Sequence, residues 1–325
     1  MKVLVTGAAG FIGFHLSSAL LARGIDVIGI DNLNDYYDVA LKQARLDQLL
    51  TEDGFEFHRV DISNSSQLKD ALDNKNYTHI VHLAAQPGVR YSIDHPDIYI
   101  QTNLVGHANM LELARHAGAL EHMIYASSSS VYGGNTKLPY AETDPVDHPV
   151  SLYAATKKSG ELMSESYAKL YQLPLTGLRF FTVYGPWGRP DMAYWIFTDK
   201  ILRGEPIRVF NHGDMGRDFT YIDDIIAGII AVLGLPPAPL NGKAAHRVLN
   251  IGNHKAERLP RMIEVLEDAL GKRAEIIYED MQQGDVKETF ADISAIQGLT
   301  DFAPSTSIED GLPKFVKWYR GFYGR

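Results

Sequence analysis

Lys2-Val-Leu-Val-Thr6, Gly7-Ala-Ala-Gly10-Phe11-Ile12-Gly13, an apolar helical pattern and Asp26-Val-Ile-Gly-Ile-Asp31 open the chain, and their reading decides the fold. They describe a buried strand, a glycine-rich turn, a helix and a second strand that ends in a carboxylate. Each part has a physical reason if a dinucleotide lies across it. Gly7 permits the tight turn, Gly10 lets backbone approach a pyrophosphate, and Gly13 lets the helix sit close on the sheet. The helix start offers unpaired N–H groups and the positive end of its dipole. Asp31 can accept hydrogen bonds from the adenosine ribose hydroxyls and would repel a 2′-phosphate, which favours NAD over NADP. The spacing is Gly-x-x-Gly-x-x-Gly rather than Gly-x-Gly-x-x-Gly, and an ordinary strand–helix connection is the plain alternative.

Bulk properties set the class. The 325 residues allow one large domain and a smaller region. A hydrophobic fraction of 45% and a charged fraction of 22% are those of a soluble globular protein. The net charge of -9 argues against a nucleic-acid-binding surface. With no cysteine, disulfides, thiol catalysis and thiolate metal sites are excluded. His79 and His82 read as packing residues, and no metal site is expected. Met1 leads straight into the first strand, leaving no room for a signal peptide. The most apolar run, near Ile225 to Leu235, is about half the length a membrane span needs. The expectation is a cytoplasmic protein.

Strands then alternate with helices: Phe55 to Ile62, His79 to Ala85, a long helix from about Asp97 to His116, and a strand from His122 into Ser127-Ser128-Ser129-Ser130. That rhythm predicts a doubly wound parallel sheet covered on both faces. Ligands collect outside the carboxyl ends of such strands, where the serines stand. Asp61 either accepts from the adenine amine or caps the next helix. A helix runs from Ser151 to about Tyr171, and its Tyr153 and Lys157, four apart, share one face. An ammonium beside a phenol stabilises the phenolate; moving a tyrosine from about 10 toward neutrality, roughly three units, needs about 4 kcal/mol.

These motifs resemble the extended short-chain dehydrogenase/reductase family along essentially the whole chain. The matching residues are Gly7 to Gly13, Leu83-Ala84-Ala85-Gln86, Asn103, Ser129 to Gly133 and Tyr153-x-x-x-Lys157. Within the family the nearest likeness is to UDP-glucuronate 4-epimerases, carried by Ser151 to Gly160 and by Leu178-Arg-Phe-Phe-Thr182-Val-Tyr-Gly-Pro-Trp-Gly-Arg189-Pro-Asp-Met192. The dehydratases usually have Asp-Glu after the catalytic hydroxyl, where Ser129 and Ser130 stand here.

The strand–helix alternation loosens after a sixth strand ending at Phe181, which predicts a Rossmann domain over 1–181 and 218–253 and a smaller, mostly C-terminal nucleotide-sugar region over 182–217 and 254–325. The resemblance implies Ser128, Tyr153 and Lys157 as the catalytic groups. Thr182 and Arg189 match positions that hold a sugar carboxylate, with a surface ion pair as the plain alternative for Arg189 in its Gly-Arg-Pro-Asp loop. Val209 and Phe210 suit uracil, Arg217 the diphosphate, and Asp285 the uridine. Galactose epimerases often place arginine where Gln282 stands. The candidate cofactor contacts are Gly7, Gly10, Phe11, Ile12, Gly13, Asp31, Asn32, Asp61, Ile62, Leu83, Ala84 and Ala85, with Tyr153 and Lys157. Pro87, Ser128, Ser129 and Ser130 complete the substrate contacts. The implied reaction is C4 epimerisation of a UDP-uronic acid through a transient 4-keto sugar with retained NAD, in a homodimer. UDP-glucuronate decarboxylase and a UDP-galactose-type epimerase are same-fold alternatives, and a non-catalytic NAD-binding protein is an alternative of another class.

Overall fold

The structure is a computed structural model that describes residues 1–239, 244–282 and 286–324. Among these residues the chain begins β1 (Lys2–Thr6), α1 (Phe11–Leu21), β2 (Asp26–Asp31), α2 (Val39–Leu49), β3 (Phe55–Arg59), α3 (Ser65–Leu72) and β4 (His79–His82). Next come α4 (Tyr91–Asp94), α5 (Pro96–Tyr99), a π-helical turn (Ile100–Val105), α6 (Gly106–His116), β5 (His122–Ser128), a 3-10 turn (Ser129–Tyr132), α7 (Leu152–Tyr171) and β6 (Leu175–Phe180). The remainder is β7 (Thr182–Tyr184), α8 (Ala193–Arg203), β8 (Ile207–Phe210), β9 (Gly216–Tyr221), α9 (Ile222–Leu233), β10 (His246–Ile251), β11 (Ala256–Arg258), α10 (Leu259–Leu270), β12 (Ile276–Glu279), β13 (Glu288–Thr289), α11 (Ser294–Leu299) and α12 (Ile308–Tyr323).

The chain divides into two compact units. The first holds residues 1–133, 145–179 and 228–249. It is built on a seven-stranded sheet in the order β10-β6-β5-β4-β1-β2-β3, with parallel ladders from β5 through β3. Strand order reverses at the β1/β4 boundary, the crevice where doubly wound sheets bind ligands. The strands are apolar on both faces because helices cover both. Leu4, Ile28, Ile30, Ile80 and Met123 are buried with Met110 and Leu111 of α6.

The second unit holds residues 134–144, 180–227 and 250–325. Its sheet runs β11-β9-β13 with β7 also on β9, and β8 pairs separately with β12. Asp218 of β9, wholly buried, ties three segments together. Its carboxylate accepts from the Asn253 and Ala291 N–H groups at 2.6 and 3.1 Å and from Thr220 Oγ1 at 2.9 Å. Burial nevertheless pushes its carboxyl up to about 6. Trp195, Phe315, Trp318 and Tyr319 stack between α8 and α12.

The long helix expected from Asp97 to His116 contains the π turn at Ile100–Val105. The third strand ends at Arg59 rather than Ile62, because Asp61 turns the chain by accepting from the Ser63 N–H at 2.8 Å. Asn64, not Asp61, caps α3, accepting from the Gln67 N–H.

Beneath α7, His107 stacks on His82 with ring centroids 5.4 Å apart and shares a hydrogen bond with Ser164 Oγ at 2.9 Å. Burial, then the nearby Lys157 charge, lowers His107 to about 3. The unfolded chain therefore takes up this proton first, and stability present above pH ~6.5 is lost as pH falls through that value. Between about pH 7.5 and pH 5 the group costs about 2 kcal/mol. Denaturant unfolding of His107→Gln is expected to lose about 2 kcal/mol less than wild type over this interval; equal losses contradict the account.

Candidate active site

In the first unit, the turn after β1 is built from backbone contacts that side chains would prevent. Gly7 has φ +72°, and a Cβ there would lie 2.9 Å from the Ala84 nitrogen. A Cβ on Gly13 would lie 2.0 Å from the Gly7 carbonyl oxygen. α1 therefore packs directly on the turn, and Gly10 caps it without a side-chain hydrogen bond. Its first N–H groups have no intrahelical partner, as a pyrophosphate site requires. Asp31 is almost completely buried and accepts from the Ala9 and Leu33 N–H groups at 3.2 and 2.8 Å. Asn32 Nδ2 donates to Asp61 at 3.0 Å. Burial raises the Asp61 carboxyl, but hydrogen bonds from Ser63 and Asn32 outweigh it and hold the group below the usual carboxylate range. This cradle fits a dinucleotide: a side-chain-free turn, a helix N-terminus and a carboxylate at the second strand end. Phe11 and Ile62 are buried, and Ile12, Leu83, Ala84 and Ala85 partly so.

Asn103 sits in the π turn and is turned inward by it. Its side chain accepts from the Gln86 N–H at 2.8 Å and donates to the Gln86 carbonyl at 3.0 Å and to Thr156 Oγ1 at 3.1 Å. It thus joins the loop after β4 to α7. The Pro87 carbonyl accepts from the Tyr99 hydroxyl at 2.6 Å.

α7 carries Tyr153 and Lys157 on one face. Ser151 caps the helix by accepting from the Ala154 N–H at 3.1 Å. The Tyr153 N–H donates to Ser92 Oγ at 3.3 Å, and the Tyr99 ring meets the Tyr153 ring edge-on at 6.1 Å. The buried Lys157 Nζ lies 5.9 Å from the Tyr153 ring centroid and donates to the Ala126 carbonyl at 2.8 Å. Ser128, two residues on, caps the 3-10 turn. Its Oγ accepts from the Ser130 N–H at 3.2 Å and from the Ser130 hydroxyl at 2.9 Å. With its lone pairs so engaged, its own O–H is left to donate outward. Ser129 and Ser130 are partly buried in the same turn.

Behind these residues lies a buried ion pair that sequence reading missed. Arg179 Nε and Nη2 each donate to Glu161 at 2.8 Å, and Ser127 Oγ donates to the same carboxylate at 2.6 Å. Two signals pointed to it. Glu161 follows Lys157 by one turn on the same helix face, and Arg179 interrupts an apolar strand that could not hold an unpaired charge.

In the second unit, Arg189 donates bidentately to Asp191 at 3.0 and 2.5 Å, so the ion pair within its own loop is present. The loop is anchored by Trp187, which takes φ +59° and packs on Trp318 and Phe322 at 5.1 and 5.0 Å. Thr182 begins β7 and is partly buried. Val209 is buried and Phe210 partly so at the end of β8. Arg217 Nη1 donates to the Gly216 and Lys287 carbonyls at 2.8 and 3.2 Å. Asp285 lies outside the described residues. Among the described residues no cluster of histidine, aspartate or glutamate side chains suits a metal ion.

The profile described as the NAD dependent epimerase/dehydratase family matches residues 3–252. The chain belongs to this family. It is 47% identical to a probable UDP-glucuronate 4-epimerase of Rhizobium meliloti, covering 100% of this chain and 98% of that one. It is also 47% identical to UDP-glucuronate 4-epimerase 2 of Arabidopsis thaliana, over 99% of this chain and 76% of the plant protein. Among solved structures, the UDP-glucuronic acid 4-epimerase of Bacillus cereus, in complex with UDP-glucuronic acid and NAD, superposes with a TM-score of 0.91. It is 37% identical over 99% of this chain and 100% of that one. As a member of the epimerase/dehydratase family the chain is an NAD-dependent enzyme on a Rossmann-type parallel sheet.

The Gly13 contact yields a test. Gly13→Ala is expected to weaken NAD binding about a hundredfold, equivalent to about 2.7 kcal/mol, in isothermal titration. Gly118→Ala, where a Cβ meets nothing within 4 Å, should bind as wild type. Unchanged affinity in Gly13→Ala would show that the α1 approach does not shape the cofactor turn.

Proposed function

We propose that this enzyme interconverts UDP-glucuronate and UDP-galacturonate by epimerisation at C4. The reading is carried by one arrangement: a tyrosine and a buried lysine one turn apart on α7, the lysine bonded to the β5 carbonyl two residues before Ser128, whose Oγ accepts from Ser130. High identity to UDP-glucuronate 4-epimerases over nearly the full chain supports the choice of sugar.

Tyr153 as phenolate takes the proton from the C4 hydroxyl, and the Lys157 ammonium stabilises that phenolate. The Ser128 hydroxyl donates to the same sugar oxygen and steadies charge as it moves. Bound NAD supplies the acceptor and then the donor of the C4 hydride. The 4-keto sugar turns about its diphosphate linkage, and Tyr153 returns the proton to an alcohol of opposite configuration. Gly7, Gly10, Phe11, Ile12 and Gly13 would hold the pyrophosphate, Asp31 and Asn32 the adenosine ribose, and Asp61 and Ile62 the adenine. Leu83 to Ala85 would pass close to the rest of the cofactor. Pro87, Ser129 and Ser130 would line the sugar. We assign 182–217 and 254–325 to the nucleotide sugar: Val209 and Phe210 to uracil, Arg217 to the diphosphate and Asp285 to the uridine.

The 4-keto group is β to the C6 carboxylate, so the intermediate is prone to lose carbon dioxide. Thr182 and Arg189 would hold that carboxylate with the C5–C6 bond near the carbonyl plane, where the bond cannot overlap the carbonyl π system. The fork of Arg189 already binds one carboxylate bidentately, that of Asp191, and the substrate's would take its place. No described helix is long and apolar enough to cross a membrane, and we infer a cytoplasmic enzyme. We also infer a homodimer, formed through the helices after Asp97 and Tyr153. Ile98, Val105 and Leu162 leave 36, 38 and 58% of their surface exposed there, and Leu162→Glu should yield monomers in sedimentation.

Purified protein given UDP-glucuronate should form UDP-galacturonate with little pentose product. UDP-pentose and carbon dioxide as the main products would instead identify a decarboxylase, and indifference to the carboxylate a neutral-sugar epimerase. Arg189→Ala is expected to slow epimerisation at least tenfold and to release UDP-pentose; a full rate without pentose contradicts the assignment of Arg189.

A further inference from the structure

We propose that Glu161 and Arg179 form a charge-balanced clamp that positions Ser128 against Tyr153 and Lys157. The inference rests on the reading of Tyr153 as the base and concerns how its neighbours are held. Both clamp residues are only 3% exposed. A buried ion pair is a poor device for stability alone, since well-packed apolar residues of similar volume do as well or better. Its presence beside the catalytic helix therefore needs another reason.

The contacts supply one. On the chain just before Ser128, Ser127 Oγ donates to Glu161 at 2.6 Å and the Ala126 carbonyl accepts from Lys157 at 2.8 Å. On the chain just after it, Arg179 Nη1 donates to the Tyr132 hydroxyl at 3.0 Å, with the guanidinium 4.9 Å from that ring. Tyr132 closes the 3-10 turn that Ser128 caps. Ser128 is thus fixed from both sides, and both anchors meet in one pair that joins α7 to β5 and β6.

Charge explains why the anchor is a pair. Glu161 lies one turn beyond Lys157 and two beyond Tyr153 on α7, and an uncompensated carboxylate there would oppose the phenolate. Arg179 cancels it. The other groups around are Lys158, whose Nζ is 3.7 Å from Glu161, and Glu165, paired with His246 at 2.7 Å. His246 also meets the Tyr125 hydroxyl at 2.8 Å. His82 and His107 are kept neutral by burial, and Tyr99 faces the Tyr153 ring.

The experiment titrates Tyr153 by ultraviolet difference spectroscopy in the purified NAD-loaded enzyme. Each protein is read against its own Tyr153→Phe partner, because the chain has 17 tyrosines. Glu161→Gln leaves the Arg179 charge unbalanced, so the Tyr153 midpoint should fall by about half a pH unit or more, and the acid limb of kcat should move with it. The apolar double variant Glu161→Met/Arg179→Met restores charge balance but releases Ser127 and Tyr132. It should titrate as wild type, with kcat at least tenfold lower and KM for UDP-glucuronate within about twofold. An unmoved or raised midpoint in Glu161→Gln overturns the charge balance. A wild-type kcat in the double variant overturns the clamp, and this arm decides if Glu161→Gln alone does not fold. If Tyr153→Phe in the wild-type background keeps full activity, the reading of Tyr153 fails instead.

Discussion

The Gly13 Cα sits against the Gly7 carbonyl so closely that no side chain fits between them, and the whole connection from β1 to α1 depends on that approach. It fixes the angle at which α1 leaves the sheet, and so where its unpaired N–H groups point. It also opens the turn after β1 to a ligand's phosphates, because no Cβ covers it. The neighbouring strand end adds Asp31, held in place by two backbone donors. A strand, a turn, a helix and a carboxylate are common parts; their mutual distances, set by one glycine-to-carbonyl contact, make them a dinucleotide cradle.

Helix α7 shows the same economy. α7 begins at a serine cap, presents Tyr153 in its first turn and Lys157 one turn later, and buries Glu161 one turn further on. Three successive turns of one face therefore carry a phenol, an ammonium and a paired carboxylate. Lys157 reaches the strand end of β5 through the Ala126 carbonyl, which holds its ammonium beside Tyr153 instead of in solvent. Asn103 performs a comparable task for the loop after β4, and the π turn that houses it inserts the extra residue needed to aim its amide at Gln86.

Local features were legible in the sequence. The glycine spacing located the close-packed turn after β1, β2 ended at Asp31, and the helix from Ser151 carried Tyr153 and Lys157 as the four-residue spacing required. The parallel sheet followed from the alternation of strands with helices. Features that depend on partners distant in the chain were not legible. Arg179 marked a charge in a buried strand but not its partner, because Glu161 lies on another element. Asn103 read as a residue inside a regular helix, since helical periodicity carries no sign of a π turn. Asp61 was ambiguous between ligand contact and helix cap, and the fold resolved the cap in favour of Asn64. Asp218 gave no sign of gathering Asn253 and Ala291 about itself. Periodicity reports which face is buried; it does not report which polar groups meet there.

The central claim is that C4 loses and regains a hydride while Tyr153 handles only the hydroxyl proton. UDP-glucuronate deuterated at C4 and turned over in ordinary water measures this most directly. The account predicts that UDP-galacturonate keeps essentially all of the deuterium at C4. Replacement of that deuterium by solvent hydrogen during turnover would mean that C4 gives up a proton, and would contradict it.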